Sequence, residues 1–386
     1  MSASFPVVDA ISGWSIAPDT PPPLAAYPQP IFSATLLDEI TNLPPDPPLA
    51  ASTSTVGVQA LAATSGMAGL SCIPLTRFSA GGITGTSLQL SLNGPGYIPI
   101  SLTGALGAQP GFPQSFTPAS AGLVMLHRAP ISLTGQVTDS TQAPLFTAEV
   151  SVDGIWTTMA SLQSAAAAPN LIAVLSPLYA ARDTTATVAA QTLTPLAPAK
   201  TLLNPGNVGD PSLRLSDQVG LVPGSIIALD QQDPQRGEYV TVTAITLAGL
   251  TPQQPATAVL AYPLARPHAS GAVATPMQPT STGTANNLAQ PAQIGDVTLF
   301  PASMTGLDTN MSAIVITGGG APSPEFHAAS LYATTSDING HAVLPPIHRL
   351  AQVTLRVHHP SQTTDLLSTV SLPFGAAALA LNLAFA

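Results

Sequence analysis

Charge is the scarcest property of this 386-residue sequence. It contains 9 Lys and Arg and 19 Asp and Glu, so 7% of its residues are charged, against roughly 25% in an ordinary soluble domain. There is one lysine, Lys200, and the arginines are scattered. Binding nucleic acid requires clustered cations that displace counterions from the phosphates. The composition and the net charge of −10 therefore exclude nucleic acid as a direct partner.

Cysteines and long apolar runs are also scarce. The single cysteine, Cys72, cannot form an internal disulfide and is interpreted as a small buried residue. The most apolar stretch, 370–386, is interrupted by proline, glycine and asparagine and is shorter than the roughly 20 residues of a membrane-spanning helix. Residues 1–20 lack the basic start and apolar run of a signal peptide. The sequence therefore predicts that the chain has no membrane span and that it assembles in the cytoplasm.

Proline is abundant, with 41 residues, and it excludes long helices. Short alternating segments between turn residues predict strands instead, such as SLQLSL at 87–92 and EYVTVTAI at 238–245. The only helix predicted is at 157–168, where alanine is frequent. The predicted fold class is all-β, made of tandem β-sandwich or small β-barrel modules with few short helices.

Four modules are predicted along the chain, with a polar linker at 276–293. They span 1–120, 121–198, 199–276 and 277–386, and the second is predicted to be a β-sandwich and the third a small β-module.

Several short motifs resemble carboxypeptidase-regulatory-like domains, which are transthyretin-like β-sandwiches. The sequence DING at 337–340, followed by HAVLPPIHR, is similar to the family pattern of a D-x-x-G turn, a strand and LPP. LLDEITNLPP and NGPGYIPISL in the first module, and LTGQVTD and AEVSVDG in the second, are similar to other strands and turns of these domains. The resemblance implies a transthyretin-like β-sandwich at 1–120 and a carboxypeptidase-regulatory-like β-sandwich at 277–386. Asp337, Asn339 and Gly340 are predicted to form a tight structural turn, with positive φ at Asn339 or Gly340.

The order of modules resembles accessory structural proteins of phage-tail-like extracellular contractile injection systems, and the third module is similar to small β-modules of such particles. The resemblance implies a non-enzymatic component, peripheral to the baseplate, with a scaffold or attachment role. Its expected partners are other structural proteins of the particle and further copies of itself. The alternative from a different class is an adhesin-like β-sandwich protein that binds carbohydrate or a cell surface, for which exposed aromatic residues at loop tips are expected.

The residue patterns predict no catalytic, cofactor-binding or metal-binding residue. No G-x-S-x-G nucleophile motif or phosphate-binding loop is present. Five histidines cluster near the C-terminus without cysteines or an H-x3-H spacing, and they are interpreted as polar, partly exposed strand positions: His327, His341, His348, His358 and His359. The carboxylates at 230–238 are interpreted as a solvated loop, and Asp38 and Glu39 as a charged turn tip beside a strand.

The poverty in charge suggests that partners cover part of the surface, because charges, especially lysines, normally protect strand edges from pairing. The apolar C-terminal segment is predicted to be either a contact surface or a terminal core strand. Its candidate interface residues are Leu372, Phe374, Leu379, Leu381, Leu383 and Phe385.

Overall fold

The computed structural model describes residues 8–9, 14–15, 29–56, 58–61, 66–72, 87–109, 112–233, 235–246, 251–309 and 311–386. Within these ranges the chain is built from strands, so the all-β prediction is confirmed. None of the sheets there closes on itself. The same ranges contain no helix long and apolar enough to cross a membrane. The side chain of Cys72 lies outside the described residues.

The helix predicted at 157–168 is wrong. Only Ala160–Gln163 is helical, as a single 3-10 turn. Two hydrogen bonds between the Thr158 and Ser161 side chains and backbone close this turn locally, and Ala167 instead forms a β-bridge with Ile155. A 12-residue segment is too short to be helical without tertiary support, and here the tertiary pairing favours extended backbone.

The chain forms two compact units. Unit 1 contains residues 1–37, 43–94 and 99–125. Its strands, two of which end in unit 2, are β1 Val8–Asp9, β2 Trp14–Ser15, β3 Gln29–Asp38, β4 Ala50–Ser52, β5 Val58–Leu61, β6 Met67–Cys72, β7 Ser87–Asn93, β8 Ile100–Ala105, β9 Gly107–Gln109, β10 Phe112–Thr117 and β11 Ala119–Leu126. They form a sheet of order β11-β3-β6-β5, a sheet of order β4-β7-β8, and the pairs β1-β2 and β9-β10.

The strand predicted at 87–92 is β7. Its leucines Leu88, Leu90 and Leu92 are buried while the intervening residues are exposed or half-buried. This two-residue period places one face of the strand against the core of unit 1.

Unit 2 contains residues 38–42, 95–98 and 126–386. Its strands are β12 Ile131–Thr138, β13 Glu149–Trp156, β14 Ile172–Val174, β15 Thr187–Pro195, β16 Lys200–Thr201, β17 Ser212–Leu215, β18 Ile226–Leu229, β19 Glu238–Thr246, β20 Ala256–Leu260, β21 Val273–Ser281, β22 Asn286–Asn287, β23 Thr298–Leu299, β24 Ala313–Thr317, β25 Glu325–Ser330, β26 Ala333–Thr335, β27 His341–Ile347, β28 Gln352–His358, β29 Leu366–Ser371 and β30 Ala378–Ala384.

A β-sandwich in unit 2 is built from the two ends of this segment. One sheet has the order β27-β12-β30, with β30 parallel to β12, and the other has the order β26-β13-β28-β29. Their facing side chains, such as Leu133, Val150 and Leu355, share one core. β-Sandwich architecture, as the family resemblance implies, is therefore present, with its strands drawn from both 131–156 and 333–384.

The turn at 337–340 connects β26 to β27. Gly340 has φ +78°, and its N–H donates to the Asp337 carbonyl. The Asp337 carboxylate accepts the N–H groups of Asn339 and His341. A Cβ at Gly340 would lie 2.5 Å from the Val137 carbonyl oxygen, so both the backbone and the space require glycine.

The apolar C-terminal segment contributes the terminal strand β30 of the sandwich. Leu372, Leu383 and Phe385 are buried in its core, and Leu379 and Leu381 pack against it half-buried. Phe374 lies outside the core and packs on neighbouring side chains. The segment was predicted to be either a contact surface or a terminal core strand. In the structure its buried residues belong to the core of the sandwich.

A 12-stranded sheet, β14 to β25, is inserted between β13 and β26 of the sandwich. Its order is β17-β20-β19-β18-β21-β15-β24-β25-β14-β23, with β16 beside β21 and β22 beside β15. This order is symmetric. If β14 is exchanged with β20, β15 with β21, and so on to β19 with β25, the same order results, read from the opposite end. The sheet is therefore built from two six-stranded repeats related by a pseudo-twofold axis.

The axis passes through the pairing of β15 with β21, where Leu193 lies opposite Pro279. These residues are 86 positions apart, and the same offset relates Leu178 to Leu264 and Asp210 to Asp296. Strand β14 pairs with strands of the second repeat, and β20 pairs with strands of the first. Each of the two larger cores described in this sheet consequently contains side chains from both repeats.

The strand pairing does not stop at the module divisions expected from the sequence. The division at 276/277 falls inside β21 and the one at 120/121 falls inside β11. The linker predicted at 276–293 contains β22 and part of β21, so that prediction is wrong. The repeats exchange strands, which a serial division of the chain cannot represent.

Candidate functional site

One buried polar group in unit 2 is centred on Asp296, in the tight turn QIGD between β22 and β23. The Asp296 carboxylate accepts the Gln293 N–H through Oδ2 at 2.9 Å, and the Asp296 N–H donates to the Gln293 carbonyl. Gly295 has φ +93°, a conformation that favours glycine. The local sequence thus fixes the direction of the carboxylate before any distant residue contacts it.

Three side chains from elsewhere in unit 2 surround this carboxylate. His127 Nδ1 lies 2.7 Å from Asp296 Oδ1, and His348 Nε2 lies 3.0 Å from the same oxygen. Arg349 Nη1 lies 3.3 Å from Oδ2. The side chain of Asp296 is fully buried and those of the three partners are at most 4% exposed. We call His127, Asp296 and His348 the His–Asp–His cluster.

The outer nitrogen of each histidine also has a polar neighbour. His127 Nε2 lies 3.3 Å from Glu39 Oε2, and His348 Nδ1 lies 3.0 Å from Thr298 Oγ1. Arg349 Nε is 3.1 Å from the same Glu39 oxygen. The other carboxylate oxygen, Glu39 Oε1, is buried and has no hydrogen-bond partner among the described residues. Both imidazoles are therefore oriented from two sides.

The electrostatics of Asp296 follow from these contacts. Burial alone would raise its pKa, but the hydrogen bonds and charges of His127 and His348 outweigh burial and hold the pKa far below its ordinary value. The carboxylate is consequently ionised, and it faces two imidazole nitrogens within 4.8 Å of each other. Two imidazoles and a carboxylate can share protons through hydrogen bonds, or they can ligate a divalent transition metal.

A second polar group lies in the 12-stranded sheet and repeats with its pseudo-symmetry. Glu325, at the start of β25, lies 2.7 Å from Arg182 Nη2, and both side chains are fully buried. Glu238, at the start of β19, lies 2.7 Å from His268 Nε2, also buried. Arg182 and His268 are 86 residues apart and occupy equivalent positions. Each glutamate also accepts two backbone N–H groups, so each half of the sheet buries one satisfied ion pair.

One part of this group has the residue types of a hydrolase triad. Ser176 Oγ lies 2.9 Å from His327 Nδ1, and His327 Nε2 lies 3.1 Å from Glu325 Oε2. Ser176 is 1% exposed and His327 is fully buried, so a substrate carbonyl has no approach to the hydroxyl. Glu325 is meanwhile bonded to Arg182. The arrangement holds strands together and is not positioned to attack a substrate.

Several sequence-based interpretations of the polar residues are wrong. His327 and His348 are buried, whereas His341 and His358 are exposed and His359 is half-buried. Glu238 is buried against His268 and does not lie in a solvated loop.

The pair Asp38 and Glu39 is likewise not an exposed turn tip. Asp38 is buried, accepts from Tyr97 at 2.9 Å and from Arg128 Nε at 2.8 Å, and also receives the Ile40 N–H. Burial raises its pKa, and the Arg128 guanidinium and the other donors lower it to a net value below the ordinary one. Phe374 packs on the two side chains that donate to Asp38: its ring lies 5.0 Å from the Tyr97 ring and 5.1 Å from the Arg128 guanidinium.

His127 and Asp296 were not singled out from the sequence. The available signal was the 86-residue repeat, in which NVGDPSL at 207–213 recurs as QIGDVTL at 293–299. Because the Asp-containing turn occurs twice, Asp296 could have been predicted to be part of a turn. Nothing in the sequence pattern would have brought His127 to it, because that contact joins residues 169 positions apart.

Comparisons with known proteins leave the family open. No family model matches the chain, and no curated protein matches it. Among solved structures, BcpA, the major pilin subunit of Bacillus cereus, aligns over 92% of this chain and 98% of its own, with 8% sequence identity and a TM-score of 0.17. At that TM-score the alignment carries no argument for fold or function. Membership of the carboxypeptidase-regulatory-like family therefore stays a prediction.

Proposed function

We propose that this chain is a non-enzymatic structural component of a phage-tail-like contractile injection particle, located at the periphery of the baseplate and present in several copies. The observation that carries the proposal is the uncharged edges of the sandwich in unit 2. Strands β29 (LLSTVS) and β30 (ALALNLA) are outer strands of their sheets as described, and neither contains a charged residue.

Uncharged edge strands favour pairing with another chain, since natural monomers protect such edges with charges, bulges or prolines. At least seven of the 28 charged residues are buried, so no more than 21 are available to protect the surface. Those seven are Asp38, Arg182, Lys200, Glu238, Asp296, Glu325 and Arg349. A chain with this distribution is suited to a place among partners that cover its edges.

The burial of the polar groups supports a structural over an enzymatic role. The two polar groups with hydrolase-like or metal-like residue types lie inside unit 2 and connect its strands and turns. Their hydrogen bonds are directed to one another and to backbone, which rigidifies a fold when most partners are satisfied. Rigidity is the property that a scaffold or attachment part needs.

The test is a comparison of particles with edge variants. Thr369→Lys places a charge on the exposed face of β29, and Thr363→Lys places the same charge in the exposed loop before it. We expect Thr369→Lys to reduce the amount of this chain in purified particles several-fold and Thr363→Lys to leave it unchanged, measured by quantitative mass spectrometry and negative-stain imaging. Intact particles that lack the chain altogether, or specific binding of the isolated chain to glycans with no particle association, would contradict the proposal and favour the adhesin-like alternative.

A further inference from the structure

We propose that the His–Asp–His cluster of unit 2 is a binding site for a divalent transition metal of the zinc type. The ligand atoms are His127 Nδ1, His348 Nε2 and Asp296 Oδ1, which lie within 4.8 Å of one another. This site goes beyond the structural role proposed above and does not depend on it.

The distances between the ligand atoms are close to those around a bound metal. Two nitrogens from different rings converge on one carboxylate oxygen, at 2.7 and 3.0 Å. Around tetrahedral zinc, with bonds of about 2.0 to 2.1 Å, neighbouring ligand atoms are roughly 3.4 Å apart. Loading the site therefore requires these two separations to open by about 0.7 and 0.4 Å.

The outer contacts are those that metal-bound histidines make. A ligating imidazole usually donates its second N–H to a carboxylate or another oxygen, which fixes the tautomer and the ring orientation. Here Glu39 Oε2 lies 3.3 Å from His127 Nε2, and Thr298 Oγ1 lies 3.0 Å from His348 Nδ1. The cluster thus has an oriented outer layer on both rings.

The charge of the site also favours a cation. Imidazoles that ligate a metal are neutral. In that state Asp296 and Glu39 contribute two negative charges and Arg349 contributes one positive charge, which leaves an excess of one negative charge at the site. Arg349 contacts Oδ2 and Glu39, on the side away from Oδ1. A small cavity lined by Arg128, His348, Arg349 and Phe374 adjoins the site.

The pseudo-symmetric turn provides a comparison within the same chain. Asp210 occupies the position equivalent to Asp296, accepts the Asn207 N–H at 2.7 Å, and follows a glycine with φ +91°. It has no histidine beside it in the contacts described. The turn therefore forms around its aspartate alone, and the two histidines at Asp296 are an addition that the turn does not require.

The experiment uses the full-length chain without a polyhistidine tag, freed of metal by a chelator. We expect it to bind one Zn²⁺ per chain by calorimetry, to gain several degrees in Tm on adding Zn²⁺, and to lose that gain with EDTA. Mg²⁺, which prefers oxygen ligands, should have no effect. Asp296→Asn should abolish the zinc response, whereas Asp210→Asn in the equivalent turn should keep it. Glu39→Gln should weaken binding roughly 10- to 100-fold.

Two further measurements keep the test decisive. Replacing the exposed His358 and the half-buried His359 together by Gln should leave zinc binding unchanged, which excludes these histidines as the ligands. X-ray absorption of the zinc-loaded natural chain should show two imidazole nitrogens, and it needs no variant that might fail to fold. The proposal is overturned if the metal-free chain shows no zinc binding or Tm change, in which case the cluster is a protonated histidine network, or if Asp296→Asn binds zinc as the natural chain does.

Discussion

The two halves of the 12-stranded sheet present the same turn in two environments. Asp210 and Asp296 each close a turn in which their carboxylate accepts the N–H three residues earlier, after a glycine with φ +91° or +93°. Asp210 is half-buried near the surface, whereas Asp296 is fully buried. The groups that surround Asp296 come from outside the repeat. The comparison shows that the repeat supplies the carboxylate and that the rest of unit 2 supplies the two imidazoles beside it.

The buried ion pairs of the two halves differ in a residue that belongs to the repeat itself. Glu325 and Glu238 both lie at the start of a strand and are capped by two backbone N–H groups, but one pairs with Arg182 and the other with His268. Because both pairs use residues of the repeat itself, a buried glutamate with a cationic partner is part of how each half folds. The identity of the cation decides whether that pair responds to pH.

The largest effect is expected from removing one member of the permanently charged pair. Arg182→Met leaves the Glu325 carboxylate buried beside His327 without its guanidinium, and breaking a buried ion pair in this way costs about 3–5 kcal/mol. We expect this loss in the free energy of unfolding, measured by urea titration. The half containing β24 and β25 should lose hydrogen-exchange protection first.

The control is an ion pair of the same chemistry on the surface. Arg236 lies 3.6 Å from Asp233, and both side chains are about half exposed. Arg236→Met should change stability by less than about 1 kcal/mol. Equal losses in the two variants would show that burial of the Arg182 pair is not what gives it its energetic weight.

How far the sequence predicts this structure depends on the distance between the interacting residues. Alternating segments such as SLQLSL and EYVTVTAI are local patterns, and they form strands β7 and β19 as expected. The turn DING at 337–340 is also local, because the Asp337 carboxylate and the glycine conformation are enough to form it. The predicted helix failed because alanine frequency competes poorly with a strand partner in a segment that short.

The candidate site could not be predicted, because each of its contacts crosses a long stretch of chain. His348 and Asp296 belong to different layers of unit 2, and the burial of an isolated histidine has no mark in the sequence around it. The exchange of strands between repeats is equally hidden, since exchanged and unexchanged repeats have the same alternating pattern. The 86-residue offset itself was visible as a recurring Gly-Asp turn, and it would have changed the expected division of the chain.

A smaller effect is expected from adding one methyl group to each of the equivalent turns. Gly209→Ala and Gly295→Ala both place alanine at a left-handed φ, at roughly 1–2 kcal/mol. A Cβ at Gly209 meets nothing within 4 Å, whereas one at Gly295 would lie 2.6 Å from Ile98 Cγ2. Overpacking of that kind adds about 1–3 kcal/mol. We therefore expect Gly295→Ala to be the more destabilising of the two by thermal and urea unfolding, and equal losses would show that Ile98 moves away without cost.

The smallest effect concerns the pH response of the two ion pairs. Burial lowers the pKa of His268, but its hydrogen bonds to Glu238 and Asp230 and their charges raise it to a net value above the ordinary 6.5. Its contribution to stability is therefore fully present below about pH 6.5 and is lost as the pH rises through the raised pKa. Arg182 stays charged over this range.

Between pH 6 and 9, amides of β18 and β19 should lose hydrogen-exchange protection relative to the equivalent amides of β24 and β25. The intrinsic pH dependence of exchange cancels in the ratio of the two. His268→Arg, which copies the equivalent residue, should flatten the ratio, while His358→Gln at an exposed position should leave it as in the natural chain. A ratio that is already independent of pH in the natural chain would mean that His268 does not gain a proton on folding, and the two halves would then differ in residue type without differing in their response to pH.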